Sequence, residues 1–180
     1  MPLLILPKWI QCGAFMLAIN AGMINVLGLI SLLHQSVSHM TGNASLIALS
    51  AFAHDFTSVG FLILILISYV LGSSFSGFIL GNSGFKLGRR YGLPLGLVTV
   101  FIILCWWLIA DYPRYALLWA CAAMGVQNAM VSHYQGAIIR TTHLSGVLTD
   151  LGLALGYACR GLKNEPKKII LHLLILFGFS

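Results

Sequence analysis

Long apolar runs separated by short polar stretches form the dominant pattern of this chain. Four of the runs are long enough for a helix to cross the ~30 Å hydrocarbon core of a bilayer, which takes about 20 residues. We predict these spans at residues 9–33, 58–81, 91–110 and 114–139. A last apolar run, residues 169–180, is about 18 Å long as a helix and is expected to be a truncated final span.

Two further apolar segments, residues 41–53 and 144–159, are short. At 1.5 Å per residue they make helices of about 20 and 24 Å, which is less than the bilayer core. Each begins with a polar turn that contains glycine rather than with a charged loop. Two topologies stay open: either all seven segments cross, or the two short segments are re-entrant half-helices that return to their own side.

The lysines and arginines distinguish these topologies, because loops rich in them stay on the cytoplasmic side. If all seven segments cross, four of the ten basic residues lie on the side of the loop at residues 86–90 and six lie opposite, against this rule. If the short segments are re-entrant, nine lie inside and only Arg114 lies outside. We favour the re-entrant topology, which places the N-terminus in the cytoplasm.

An internal repeat connects the long and short segments. In each half, a Gly-x-x-Asn motif inside a predicted span precedes a Ser/Thr-His-apolar-Ser/Thr-Gly motif that opens a short segment. The two copies are Gly22-x-x-Asn25 with Ser38-His39-Met40-Thr41-Gly42, and Gly125-x-x-Asn128 with Thr142-His143-Leu144-Ser145-Gly146. The predicted organisation is a first repeat at residues 1–81, a cytoplasmic basic loop and linking helix at 82–113, and a second repeat at 114–180.

These patterns predict an all-α integral membrane protein. Each repeat consists of a span, a short half-helix and a span, and the re-entrant topology makes the two repeats inverted, as in transporters that bind solutes between broken helices. Chance similarity between apolar sequences is the competing explanation of the repeat.

The composition agrees with a membrane protein. Hydrophobic residues make up 59% of the chain and charged residues 8%, against roughly a quarter charged in soluble domains. The net charge of +6 is therefore interpreted as a topology signal, which leaves no case for nucleic-acid binding. The four cysteines lie singly in apolar runs, as packing residues do, and no cofactor or metal site is expected.

Two segments, residues 38–43 and 141–151, resemble the signature segments of the YoaK-like small bacterial membrane proteins. The similarity covers nearly the whole chain. That family is of unknown function, with members sometimes named as small integral membrane transporters, so the resemblance implies a multi-pass protein of the bacterial cytoplasmic (inner) membrane. Family members often carry an acid where this chain has Asn25, which weakens a proton-relay role there. They also have Thr-Gly more often than Ser145-Gly146, and usually continue beyond this C-terminus.

The starts of the two half-helices form the predicted site. Their unpaired backbone N–H groups and positive dipole ends would point to the membrane centre from opposite sides and hold an anion or a small polar solute at the midplane. Thr41 and Ser145 have an alternative role as N-caps, and capping with tight packing would explain both motifs without a ligand. The predicted path comprises Asn25, His39, Thr41, Gly42, Asn43, Asn128, His143, Ser145, Gly146 and Asp150.

Several of these residues have a second interpretation. His39 and His143 either donate to a solute, carry a proton or are neutral structural histidines bonded to backbone carbonyls. Asp150 is the one acid expected within the bilayer, where it either marks an ion or proton path or forms a salt bridge with Arg140. The two asparagines either line the path or bond between helices. A metal site would need a third ligand beside the two histidines.

The favoured function is a small transporter or channel in the lipid bilayer, with Gly-x-x-x-Gly spacings that allow a homodimer. The alternative is an accessory or assembly protein that transports nothing, for which the glycine faces are the functional surface. We expect no enzymatic activity, because the chain lacks Gly-x-Ser-x-Gly, His-Glu-x-x-His and paired-carboxylate motifs.

Overall fold

The structure is a computed structural model that describes residues 8–81, 89–133, 141–162 and 166–180. All regular elements in these four ranges are α-helices, which confirms the predicted all-α class for this part of the chain. The helices are α1 (Lys8–Ser31), α2 (Met40–Phe52), α3 (Phe56–Leu80), α4 (Arg89–Leu108), α5 (Pro113–His133), α6 (Leu144–Cys159) and α7 (Pro166–Phe179).

Three of these helices are long and apolar enough to cross a membrane. They are α1 with 24 residues, α3 with 25 residues, and the 18 residues Tyr91–Leu108 of α4. Their positions agree with three of the predicted spans and make this a membrane-like helical protein. The fourth predicted span corresponds to α5, which has 21 residues but is not one of these three. Because its polar residues Gln127 and Asn128 lower its hydropathy, its crossing stays a prediction.

The two short segments form short helices at the expected places. α2 has 13 residues and begins one residue before the predicted segment, and α6 has 16 residues with the predicted bounds. Helix α7 begins at Pro166, three residues before the predicted final run. The last part of the predicted fourth span, the basic loop around Lys86 and the position of Arg140 lie outside the described residues.

Helix α3 begins two residues earlier than the apolar run indicates, because a polar residue caps it. The Asp55 carboxylate accepts a hydrogen bond from the Ser58 backbone N–H at 3.1 Å. This N-cap pairs one of the donors that every helix start leaves open. The hydrogen bonds from Ser58 also hold the pKa of the Asp55 carboxyl below its usual value.

The contacts divide the chain into two compact units. One contains residues 24–138, and the other contains residues up to 23 together with residues from 139 onward. Helix α1 is continuous across the boundary between Met23 and Ile24. The two units are defined by contacts, whereas the proposed repeats are defined by sequence motifs. The units therefore do not test the repeat boundaries, which stay predictions.

In the unit of residues 24–138, α5 is the central helix. Helices α3 and α4 both pack on α5, α2 packs on α3, and residues 120–128 of α5 are all buried. The approach of α3 to α5 is close, because a Cβ added to Gly125 would overlap the Tyr69 carbonyl oxygen. Ser73 Oγ donates to the Gly125 carbonyl oxygen at 3.1 Å in the same contact.

In the other unit, α6 packs on α7, and α7 packs on the first part of α1. A Cβ added to Gly22 would overlap the Phe179 carbonyl oxygen. One residue earlier on α7, Gly178 lies against Phe15 and Ala18. Glycine therefore permits close backbone contact in this unit too.

Candidate functional site

The segment that leads into α2 is held by one amide oxygen. Asn25 Oδ1 lies within hydrogen-bonding distance of four donors: Ser36 Oγ at 2.9 Å, Val37 N at 3.1 Å, Ser38 Oγ at 3.2 Å and Ser38 N at 3.3 Å. Asn25 and Ser38 are both buried. We call Asn25, Ser36, Val37, Ser38 and Asn43 the Asn25 cluster.

The chain reaches Asn25 by a tight turn after α1. Leu33 and His34 have φ angles of 60° and 56°, in the left-handed region that non-glycine residues rarely adopt. His34 Nδ1 lies 2.7 Å from the Leu29 carbonyl oxygen, which ties the turn to the end of α1. The turn sends residues 36–38 back along α1 to Asn25, and the hydrogen bonds formed there offset the cost of the strained backbone.

Asn43 joins this cluster from the first turn of α2. It is fully buried, and its Nδ2 donates to the Ser36 carbonyl oxygen at 2.9 Å. Since that carbonyl only accepts, the amide nitrogen faces it and Oδ1 points elsewhere. Oδ1 has no hydrogen-bond partner among the described residues. A buried acceptor without a partner is costly, so this oxygen is suited to bind a donor.

The start of α2 differs from the expectation that Thr41 caps it. The N-cap is His39, with φ −100° and ψ 75°, and its side chain makes no cap hydrogen bond. Thr41 is the second helical residue and is exposed, because the helix begins earlier than the motif indicates. Gly42 is also exposed, and a Cβ added there would meet no atom within 4 Å. The backbone N–H of His39 donates to Ser36 Oγ at 3.1 Å.

The start of α6 corrects the second predicted cap in the same way. The N-cap is His143, with φ −93° and ψ 67°, and its side chain makes no cap hydrogen bond either. Ser145 is the second residue of α6 and is exposed, and Gly146 after it is half-buried. Thr141, two residues before His143, is buried, and its Oγ1 has no hydrogen-bond partner within the described ranges.

Asn128 takes part in a bond between helices. Its Nδ2 donates to the Tyr69 hydroxyl oxygen at 2.7 Å, which joins α5 to α3. This is the interhelical alternative that the sequence left open for the two asparagines. Asn25, in contrast, binds a loop rather than a second helix.

Asp150 lies on α6 and faces two basic side chains of α7. Its Oδ2 lies 3.4 Å from Lys168 Nζ and 3.5 Å from His172 Nε2. We call Asp150, Lys168 and His172 the Asp150 cluster. The alternative partner Arg140 lies outside the described residues, whereas Lys168 and His172 are observed partners.

Sequence reasoning missed four of these residues: Ser36, Tyr69, Lys168 and His172. The last two were detectable in part, because a spacing of four residues places Lys168 and His172 on one face of a helix. Their pairing with Asp150 was not, since it depends on how α6 packs on α7. Among the described residues, no group of three or more His, Cys, Asp or Glu side chains is placed to hold a metal ion.

The predicted site residues thus belong to distinct arrangements. The structure brings Asn25 and Asn43 together through Ser36, and it places His39 and His143 at equivalent positions before the two short helices. Asp150 has its own basic partners. These arrangements can fix a loop, offer a buried acceptor and hold a titratable group.

Comparisons with known proteins identify the family. Searches of curated proteins and of solved structures find no match. The model of the family described as "Protein of unknown function (DUF1275)" matches residues 13–180. Since this range covers nearly the whole chain, the protein belongs to that family.

Proposed function

We propose that this protein is a small multi-pass transporter or channel for a small polar solute. The observation that carries the proposal is Asn43 Oδ1, a fully buried acceptor without a described partner in the first turn of a helix of 13 residues. A helix of about 20 Å does not cross the bilayer core, and a half-helix at membrane depth requires protein or a cavity around it. We expect the solute to contact this start of α2.

The chemistry at α2 favours one of the two predicted solute classes. The N-terminal dipole of a helix attracts an anion, but a carbonyl-type oxygen such as Asn43 Oδ1 repels one. It accepts a hydrogen bond from a hydroxyl, an amide or an ammonium group instead. A neutral solute with hydrogen-bond donors therefore fits this position better than an anion does.

We further propose that the two halves are true repeats, related by inversion. The same kind of contact occurs in both units and supports this proposal. Gly125 of α5 lies against the Tyr69 carbonyl of α3, and Gly22 of α1 lies against the Phe179 carbonyl of α7. Each glycine opens one of the Gly-x-x-Asn motifs. In each unit, the first helix of one proposed repeat thus packs on the last helix of the other.

The register of these contacts also repeats. One residue before Tyr69, Ser68 Oγ donates to the carbonyl of Leu118, which is seven residues before Gly125. One residue before Phe179, Gly178 lies against the carbonyl of Phe15, which is seven residues before Gly22. Agreement in both offsets supports duplication rather than chance similarity of apolar sequences. The midplane site shared by both half-helices, the bacterial inner membrane and the cytoplasmic N-terminus stay predictions.

A specific observation supports the alternative of an accessory or assembly protein. Six glycines of the Gly-x-x-x-Gly spacings are exposed, and a Cβ added to any of them would meet nothing within 4 Å. They are Gly77, Gly81, Gly92, Gly96, Gly152 and Gly156. Such faces allow close contact with another membrane helix, from a second copy or from a different protein.

Flux measurements on the purified protein test the proposed function. We would reconstitute it in liposomes and follow swelling by light scattering with glycerol, urea and acetamide, and chloride entry with a fluorescent reporter. The expected result is faster swelling than in empty liposomes for at least one neutral solute, without faster chloride entry. No acceleration for any solute, with co-purification of a larger complex, would favour the accessory role.

A pair of variants localises the path. Gly42→Leu adds bulk in open space beside Asn43, so we expect flux to fall at least about tenfold without loss of folding. Gly60→Leu is the matched control, because Gly60 is also helical, exposed and without neighbours within 4 Å of an added Cβ. Equal flux in both variants would exclude the start of α2 from the path.

A further inference from the structure

The Asp150 cluster combines a carboxylate on α6 with the ammonium group of Lys168 and the imidazole ring of His172 on α7. We propose that it is a proton-binding site, in which His172 takes up a proton, Asp150 balances the added charge and Lys168 competes for the same carboxylate oxygen. Asp150 is the one acid within a described helix, since Asp55 and Asp111 lie in turns. Both described ion pairs share its Oδ2.

The geometry indicates which ring nitrogen binds the proton. An ionised carboxylate only accepts hydrogen bonds, so the site assigns the hydrogen of the neutral His172 ring to Nε2, the atom 3.5 Å from Asp150 Oδ2. The added proton therefore binds at Nδ1. The ring then becomes a cation, and the hydrogen on Nε2 stays directed to the carboxylate.

The two distances favour an arrangement in which Lys168 and His172 alternate as the partner of Asp150, rather than one fixed ion pair. Lys168 Nζ at 3.4 Å and His172 Nε2 at 3.5 Å are both longer than the ~2.7–2.9 Å of a tight charge-assisted hydrogen bond. Neutral His172 leaves Lys168 to balance Asp150. Once His172 is protonated, two cations face one carboxylate oxygen, and the flexible Lys168 side chain can turn to water.

Side-chain exposure decreases from Lys168 and Asp150 to His172, the residue proposed to take up the proton. The side chains of Lys168 and Asp150 are 46% and 41% exposed, whereas that of His172 is 5% exposed. Lys168 lies near the start of α7, and His172 lies one helical turn further on. The carboxylate thus lies between an exposed ammonium group and a buried ring, an arrangement that suits proton transfer to the ring better than a purely structural ion pair does.

Other titratable or charged groups lie on the same elements in this unit. On α6 and at its two ends they are His143, Tyr157, Cys159 and Arg160, and on α7 the other one is Lys167. The described part of α1 in this unit carries Lys8 and Cys12, and its contacts at the two glycines of this helix pair involve Phe15, Ala18 and Gly22, which do not titrate. Asp150, which Lys168 also contacts, is the charged side chain that lies beside His172 in the described structure.

A nitrogen NMR titration of the full chain tests this site. We would label the histidine rings with ¹⁵N, place the protein in lipid nanodiscs and assign His172 through the His172→Gln variant. The expected titration converts Nδ1 from the unprotonated to the protonated shift while Nε2 stays protonated. Asp150→Asn should lower the midpoint by about 1 pH unit, because the balancing charge is lost. Lys168→Gln should raise it by less, since Lys168 is more exposed.

Lys167→Gln and Asp55→Asn are the matched controls, because they remove the same charges outside the cluster, and both should leave the midpoint unchanged. The proposal is overturned if His172 does not titrate between pH 4 and pH 9. It is also overturned if Asp150→Asn moves the midpoint no more than Asp55→Asn does.

A role of this site in coupling proton binding to solute movement rests on the proposed transport function. In that case, solute flux in liposomes changes with pH at the midpoint of the His172 titration, and His172→Gln removes this dependence. A normal titration without flux of any solute would reject transport and leave the proton site intact. Flux without a His172 titration would reject the proton site alone.

Discussion

Two histidines, His39 and His143, precede the short helices with nearly the same backbone angles, yet the side chains that follow them differ in charge. Seven residues after His39 stands Leu46, and seven residues after His143 stands Asp150. The start of α2 is surrounded by neutral amides and hydroxyls, whereas the first half of α6 faces Lys168 and His172.

The difference separates two kinds of polar group within an apolar protein. The Asn25 cluster holds its loop with hydrogen bonds between neutral amide and hydroxyl groups, which do not titrate near neutral pH. It therefore defines a fixed geometry. The Asp150 cluster is partly exposed and contains His172, the ring to which we assign proton uptake, so under that proposal it defines a variable charge. Under the two proposals, the solute contacts the first cluster and the proton binds at the second.

The largest expected effect concerns the glycine contacts that position both regions. Gly125→Ala should lower the free energy of unfolding by about 3 kcal/mol, because its Cβ would overlap the Tyr69 backbone inside a buried helix pair. Gly22→Ala should cost less, since the overlapping atom belongs to Phe179 at the end of α7, where the backbone can shift. SDS titration in micelles measures both. Gly77→Ala, in open space, should be neutral or slightly stabilising.

The next effect breaks the Asn25 cluster. Asn25→Leu should cost about 2 kcal/mol, because the partly buried donor of Ser36 and the buried donors of Val37 and Ser38 lose their acceptor. Asn25→Asp keeps an acceptor at that position and should cost less than half as much in the same SDS titration. Asn128→Leu loses the bond to Tyr69 and should cost about 1 kcal/mol. Equal costs for Asn25→Leu and Asn25→Asp would contradict the acceptor role.

A smaller effect is expected at the Asp150 cluster. Asp150→Asn should change the free energy of unfolding by about 0.5 kcal/mol, since half-exposed ion pairs contribute little to stability. The same substitution should move the His172 titration clearly. A loss of several kcal/mol would instead identify the cluster as structural.

The smallest effect concerns a helix start that is capped in the ordinary way. The pKa of Asp55 is lowered by its hydrogen bonds from Ser58, so the stabilisation is complete above the unfolded-state pKa of about 4 and is lost as the pH falls through the folded-state value. Asp55→Asn should remove this part of the acid sensitivity. Thermal unfolding in micelles at pH 7 and pH 3 checks it: the decrease in midpoint should be smaller in the variant.

Much of the helix pattern was predictable. Apolar runs placed α1, α3 and α4 to within a few residues, because a span must bury a continuous stretch of about 20 residues whatever its neighbours are. The short lengths of α2 and α6 were also predictable from the sequence, since the length of a helix follows from its number of residues. The exact starts were harder. His39 and His143 rather than Thr41 and Ser145 occupy the N-cap positions of these helices, although neither side chain makes a cap hydrogen bond.

The polar residues of the candidate site were visible in the sequence, but their partners were not. Asn25 belongs to the first repeated motif, and Asn43 and Asp150 stand out as polar residues in short apolar segments. The sequence did not indicate that Ser36 connects the two asparagines or that a strained turn at Leu33 brings the loop back.

Residue order therefore specified where helices form and which positions are polar, because burial of an apolar run is a property of the run itself. The packing of α6 on α7 and the return of the loop to α1 specified which polar groups meet. Hydrogen bonds and ion pairs form only within about 3–4 Å, and chain segments far apart in sequence reach that distance only through folding.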